Sequence, residues 1–126
     1  MRYLLDTNVL IDHARGRHGA VDLMTSLFSE PNDLYTCDVV VTEALSGGTD
    51  GERSLIRAMI RVLEYVSTHP DAAVWAAESR RHRRAAGPRS LADAIIAGVA
   101  WYNDATVVTR NARDFESQGV PVLAYG

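Results

Sequence analysis

Short apolar runs of strand character alternate with stripes of helical period along this chain, and few folds accept that alternation. The strand candidates are Tyr3 to Leu5, Leu34 to Cys37, Tyr65 to Ser67, Thr106 to Thr109 and Val120 to Leu123. Between them, Val21, Leu23, Met24, Leu27 and Phe28 recur at helical spacing. So do Leu55, Ile56, Met59, Ile60 and Leu63, and later Ile95, Ile96 and Val99 on one expected face. Strands separated by helices pair in parallel, because the crossover returns the chain to the same end of the sheet. The expected fold is therefore α/β with a central, mainly parallel sheet and right-handed crossovers. Pro121 assigns the last strand to an edge.

The remaining segments follow from turn and cap chemistry. Thr7 to His13 begins a helix that breaks near Gly16, and Asp71 to Ala86 is an alanine-rich helix ended by Gly87-Pro88. Asn111 to Gln118 is a short helix stopped by Gly119. Asp38 to Ser46 stays open. Val39, Val40, Val41 and Thr42 favour a strand, whereas Asp38 can cap a helix that stops at Gly47-Gly48.

At 126 residues the chain is expected to form one domain, residues 1–126. Such a chain buries about two-thirds of its unfolded surface, enough for a core without disulfides or a structural metal. The single cysteine, Cys37, permits no internal disulfide and is expected to be a small buried residue. No apolar run approaches the ~20 residues of a membrane span. The start, Met1 to Asp6, reaches a carboxylate too soon for a signal peptide, so a cytoplasmic location is expected. All 13 basic side chains are arginine. Without lysine there is no P-loop and no Schiff base. The net charge of −3 argues against a protein that binds nucleic acid over its whole surface.

The carboxylates carry the chemistry. Ligands of open parallel sheets gather beyond the carboxyl ends of the strands. Asp6 follows the first strand, Glu43 follows the second by about two helical turns, and Asp114 follows the fourth. Asp93 stands in the first turn of the helix that leads into that fourth strand. Two unit charges 4 Å apart repel by about 4 kcal/mol at an effective dielectric near 20. A cluster of such acids must bind protons or a cation. Mg²⁺ or Mn²⁺ suits oxygen ligands and can steady a phosphate during displacement. Each acid also has a plainer role. Asp6 can start a turn, Glu43 can be solvated, and Asp114 can sit at a helix start. Ser90 and Asp93 have the spacing of a capping box.

These residues resemble the PIN-domain ribonucleases, and most closely the VapC toxins of bacterial toxin–antitoxin pairs. The resemblance rests on the run Tyr3 to Ile11, on Ser90 to Ala97, on Thr109 to Phe115, and more weakly on Val41 to Leu45. It implies a three-layer α/β/α sandwich and a toxin that cleaves RNA, often structured RNA such as tRNA, with Mg²⁺ or Mn²⁺. It implies a metal-binding core of Asp6, Glu43 and Asp93, supported by Thr7, Asn8 and the Thr109 hydroxyl. A cognate VapB-like antitoxin and a homodimer are implied as well. Where many PIN domains place a fourth acid this chain has Asn111, and the acid comes at Asp114. Both are ranked below the other three acids.

The densest positive patch is Arg80-Arg81-His82-Arg83-Arg84. Arg80, Arg84, Arg110 and Arg113 are candidate contacts for RNA phosphate, since the planar guanidinium fork binds phosphate in two places. The plain alternative is a solvated helix face. His13, His18, His69 and His82 show no ligand spacing for zinc. Trp75, Trp101 and Tyr102 are expected in the core or an interface. A phosphatase using Asp6 as nucleophile would want a second acid where Asn8 stands, and a lysine. The alternative from another class is a PIN-like module, weak or inactive in catalysis, that binds RNA or a partner without cutting.

Overall fold

The computed structural model describes residues 1–82 and 90–126. Its elements run β1 (Arg2–Leu5), α1 (Thr7–Ala14), α2 (His18–Phe28), β2 (Asp33–Cys37), α3 (Asp38–Ala44) and α4 (Asp50–Val62). They continue with β3 (Glu64–Val66), α5 (Pro70–His82), α6 (Leu91–Tyr102), β4 (Thr106–Thr109), α7 (Ala112–Glu116) and β5 (Val122–Ala124). The five strands form one sheet in the order β3-β2-β1-β4-β5, and every pair is parallel. Leu4 pairs with Tyr35 on one side and with Val107 on the other. β5 takes an edge, and Pro121 serves the ladder only through its carbonyl, which accepts from Val107 N–H at 2.9 Å.

The order reverses at β1. The chain winds from β1 through β2 to β3, then returns to add β4 and β5 on the other side of β1. With right-handed crossovers, α1 to α4 cover one face and α5 to α7 the other. The helices group accordingly: α1 packs on α2, α3 and α4, while α6 packs on α5 and α7. The result is a three-layer sandwich. α3 also meets α6 across the sheet, at the end where the strands leave it.

One segment that the sequence left open between strand and helix folds as helix, and another departs from expectation. The valine run of residues 39–41 is helical, as part of α3. Asp38 is the first residue of that helix rather than its cap. Its carboxylate accepts from Val39 N–H at 3.0 Å, and from the hydroxyl and N–H of Thr68 at 2.7 and 3.2 Å. These bonds, with Val40 and Ala44 buried, outweigh the weak strand preference of the valines. The departure is α6, expected to bury one stripe. Ala94 and Ile96 to Ala100 are all buried, because the sheet covers one side of the helix and α5 the other. The approach is close: a Cβ on Gly98 would lie 2.5 Å from the Ala72 carbonyl oxygen.

The core is aliphatic, with Leu4, Leu5, Val107 and Val108 of the central strands fully buried and Phe115 closing the α7 side. Cys37 is buried as expected, and burial pushes its thiol up to about 11. No helix among the described residues is long and apolar enough to cross a membrane.

Candidate active site

The strand order places a crevice at the carboxyl ends of β1 and β4, where the winding direction changes. A crevice of this kind is where open α/β sheets bind ligands. Asp6 leaves β1 there as the cap of α1, and Thr109 ends β4 beside it. Both side chains are buried polar groups in an aliphatic core.

Asp6 is only 3 % exposed. Its Oδ1 accepts from Thr7 N–H at 2.8 Å, and its Oδ2 accepts from the Thr109 hydroxyl at 2.7 Å. The Thr109 oxygen in turn accepts from Asn111 N–H at 2.9 Å. A carboxylate oxygen has two acceptor sites, so each oxygen of Asp6 keeps one for a further partner. Burial raises the pKa of this carboxyl from 3.8 to about 6. The bonds from Thr109 and Thr7 oppose the rise, and the charges of Asp93 and Glu43 add to it.

Those two charges come from different layers. Glu43, on α3, is exposed, and its Oε1 accepts from the Thr7 hydroxyl at 2.7 Å. Asp93, in the first turn of α6, is half-buried. The capping reading of that turn holds on the main-chain side, since Asp93 N–H donates to Ser90 Oγ at 3.3 Å. The contact of α3 with α6 brings the two acids to the end of the sheet where Asp6 emerges. Asp114 lies half-buried on α7. Gln118 ties its turn to that of Asp93: Nε2 donates to the Asp114 carbonyl at 2.9 Å and meets the Asp93 carbonyl at 3.5 Å. Asn111 stands exposed at the cap of α7 with no side-chain cap bond.

Three acids from three elements thus act on one another here. Among the described residues, no three acidic, histidine or cysteine side chains converge as a ready cage for a metal. The donor set still suits Mg²⁺ or Mn²⁺, which use one or two carboxylates and fill the remaining positions with water. The ionised form of Asp6, disfavoured by burial and by two neighbouring acids, is one that such an ion would relieve.

The candidate phosphate contacts that the structure describes stand on different elements. Arg80 is half-buried near the end of α5, and Arg113 is exposed on α7. Arg84 lies outside the described residues. Arg110 does not simply reach into solvent: its Nε stands 3.1 Å from Oδ2 of Asp12. Trp101 and Tyr102 are exposed rather than core, and Trp101 stacks on Trp75 at 5.9 Å between ring centres.

Asp12 is the residue that sequence reasoning missed. It is 1 % exposed and bonds the hydroxyl of Tyr125 at 2.8 Å. The signal was available. Asp12 falls one turn after Val9 and Asn8 in a helix whose Val9 and Leu10 are buried, so it had to face inward.

Residues 3–119 of the chain match the PIN domain family. Ribonuclease VapC19 of Mycobacterium tuberculosis is 27% identical over 113 residues, covering 89% of this chain and 90% of that protein. The VapBC2 structure from Rickettsia felis, bound to a DNA fragment from its promoter, superposes with a TM-score of 0.84 over 100% of both chains at 18% identity. A toxin–antitoxin complex from Klebsiella pneumoniae superposes with a TM-score of 0.76, covering 97% of this chain and 96% of that one at 26% identity.

Proposed function

This chain belongs to the PIN-domain family, and from that premise we propose that it is the toxin of a VapBC-type pair, a metal-dependent endoribonuclease. The observation that carries the reading is the buried Asp6, held by Thr7 and Thr109 beside the charges of Glu43 and Asp93 at the reversal of strand order. The similarity to a ribonuclease over nine-tenths of both chains supports it. The substrate is RNA, and structured RNA such as tRNA is the first class to test.

Asp6 and Asp93 would hold Mg²⁺ or Mn²⁺, directly or through water. Glu43, oriented by the Thr7 hydroxyl, would share in holding it or would position the attacking water. A cation bound here steadies the negative charge that develops on the phosphate during displacement. Thr109 keeps Asp6 in place and favours its ionised form, the form that binds a cation. Asn8, Asn111 and Asp114 are supporting candidates, and Arg80, Arg84, Arg110 and Arg113 are candidate contacts to the RNA backbone.

A VapB-like antitoxin is the expected partner. An exposed apolar groove of about 670 Å³ between α2 and α4, lined by Phe28, Leu55, Met59 and Val62 among others, suits an amphipathic segment. Arg57 and Arg61 on the adjoining α4 face would favour acidic residues on it. The exposed Val74, Trp101 and Tyr102 support the expected homodimer.

The test is cleavage of total bacterial tRNA by purified protein in Mg²⁺, Mn²⁺ or EDTA, with Asp93→Asn as the matched control. Discrete products that need the metal and vanish in the variant are expected. A folded Asp93→Asn protein with full specific activity refutes the assignment. The lack of a ready three-acid cage among the described residues favours a second reading, a module that binds RNA or antitoxin without cutting. RNA binding with no products under any metal would establish that alternative.

A further inference from the structure

Beside the acidic crevice, Asp12 is a buried charge that the proposed reaction does not use. It lies on the inward face of α1, and its side chain is 2 % exposed. Arg110 Nε stands 3.1 Å from Oδ2, and Tyr125 donates its hydroxyl to the same oxygen at 2.8 Å. Arg17 Nε lies 3.5 Å from Oδ1, within ion-pair range but without hydrogen-bond alignment. Two guanidinium groups therefore face one carboxylate, which leaves one positive charge in excess. The arginine side chains remain 52 % and 46 % exposed, for Arg17 and Arg110 respectively.

The place of this group gives it meaning. Arg110 directly follows Thr109, whose hydroxyl holds Asp6. Its main-chain N–H donates to Asn8 Oδ1 at 3.3 Å, and the Tyr125 hydroxyl lies 3.2 Å from the same oxygen. The first two turns of α1 thus carry the acid at one end and the arginine anchor at the other. Acids alone would repel a polyanion, since like charges a few ångströms apart cost several kcal/mol at protein dielectric. A strand of RNA presents phosphates on both sides of the bond to be cut, so a second, positive contact next to the acids offsets that repulsion.

Resting on the ribonuclease reading, we propose that Arg17 and Arg110, held by the buried Asp12 and Tyr125, form a cradle for an RNA phosphate neighbouring the one at the acidic crevice. Arg17 and Arg110 touch the phosphate. Asp12 and Tyr125 are positioning residues. Anchoring the guanidinium groups beforehand reduces the side-chain entropy lost on binding. The competing account is an ion triad that only stabilises the fold. It predicts that changes here move stability without moving the charge dependence of RNA binding.

The experiment measures binding of a fluorescein-labelled 12-nucleotide single-stranded RNA in EDTA across a salt series. Wild type is compared with Arg17→Gln, Arg110→Gln, Arg110→Lys and Tyr125→Phe, with thermal melts to verify folding. Each Gln variant is expected to flatten the slope of log K against log salt by about 0.7, the value for one single-strand phosphate contact. Arg110→Lys keeps the charge and should keep the slope. Tyr125→Phe should weaken binding several-fold, and in Mn²⁺ raise KM more than it lowers kcat. The cradle is overturned if folded Gln variants retain the wild-type slope, or if wild type binds this RNA with no salt dependence or not at all. Wild-type binding with the expected slopes but no cleavage of any RNA keeps the cradle and sinks the nuclease. Cleavage with unchanged slopes does the reverse.

Discussion

Removing the charge of Asp6 should stabilise the metal-free protein at neutral pH. The carboxyl titrates at 3.8 in the unfolded chain and at about 6 in the fold, chiefly through burial. The native state therefore binds this proton more tightly than the unfolded state does. The associated stability is complete below the unfolded value and is lost as pH rises through about 6. A shift of that size corresponds to ~3 kcal/mol between the protonated and ionised limits. Asp6→Asn keeps the shape of the protonated form and has no proton to lose. Urea unfolding of wild type and variant in EDTA, from about pH 4 to about pH 7.5, measures the difference directly. That difference should grow in favour of the variant by ~2.4 kcal/mol across the window, because part of the full ~3 kcal/mol is already lost at pH 4, whatever constant offset separates the two. Carboxylates distant from Asp6 titrate equally in both proteins and cancel, while Asp93 and Glu43 add only the smaller coulombic part of the shift. A difference that stays flat, or that grows in favour of wild type, refutes the account of Asp6 as a buried acid strained by ionisation. Adding Mn²⁺ at the upper pH should raise the melting temperature of wild type more than that of the variant, because the variant keeps Asp93 and Glu43 but lacks the Asp6 carboxylate.

Thr109→Val removes the hydroxyl that donates to Asp6 and accepts from Asn111. It should cost about 1–3 kcal/mol by denaturant unfolding and shift the rising limb of the cleavage pH profile upward, since Asp6 loses a bond that favours its ionised form. Gly98→Ala forces a Cβ to within 2.5 Å of the Ala72 carbonyl oxygen. It should cost about 1–3 kcal/mol, read as a lower unfolding midpoint, as α5 is pushed off α6. An unchanged midpoint would show that the two helices separate easily.

The alternation of strand and helix, the parallel sheet and the edge position of the last strand were legible because each follows from local period and turn chemistry. The place of Asp6 at the end of the first strand was legible for a related reason, since a short apolar run closed by an acid marks where the strand stops, whereas Thr7 and Asn8 entered only through the family resemblance. α3 was not legible. Its valines prefer a strand locally, and the bonds that fold them as a helix come from Thr68, thirty positions along the chain. The near-complete burial of α6 was also out of reach, because a residue's own period cannot report that a second helix covers its outer face.

The sequence by itself determined which carboxylates exist and which elements carry them. Tertiary structure alone decided that Asp6 is buried, that Glu43 and Asp93 reach it from opposite layers, and that Arg110 turns toward Asp12. The physical reason is range. Helix caps and strand ends are set by neighbours within a few residues, whereas charge interactions and desolvation depend on distance through space. Only the order β3-β2-β1-β4-β5 sets those distances, by placing the ends of β1 and β4 side by side.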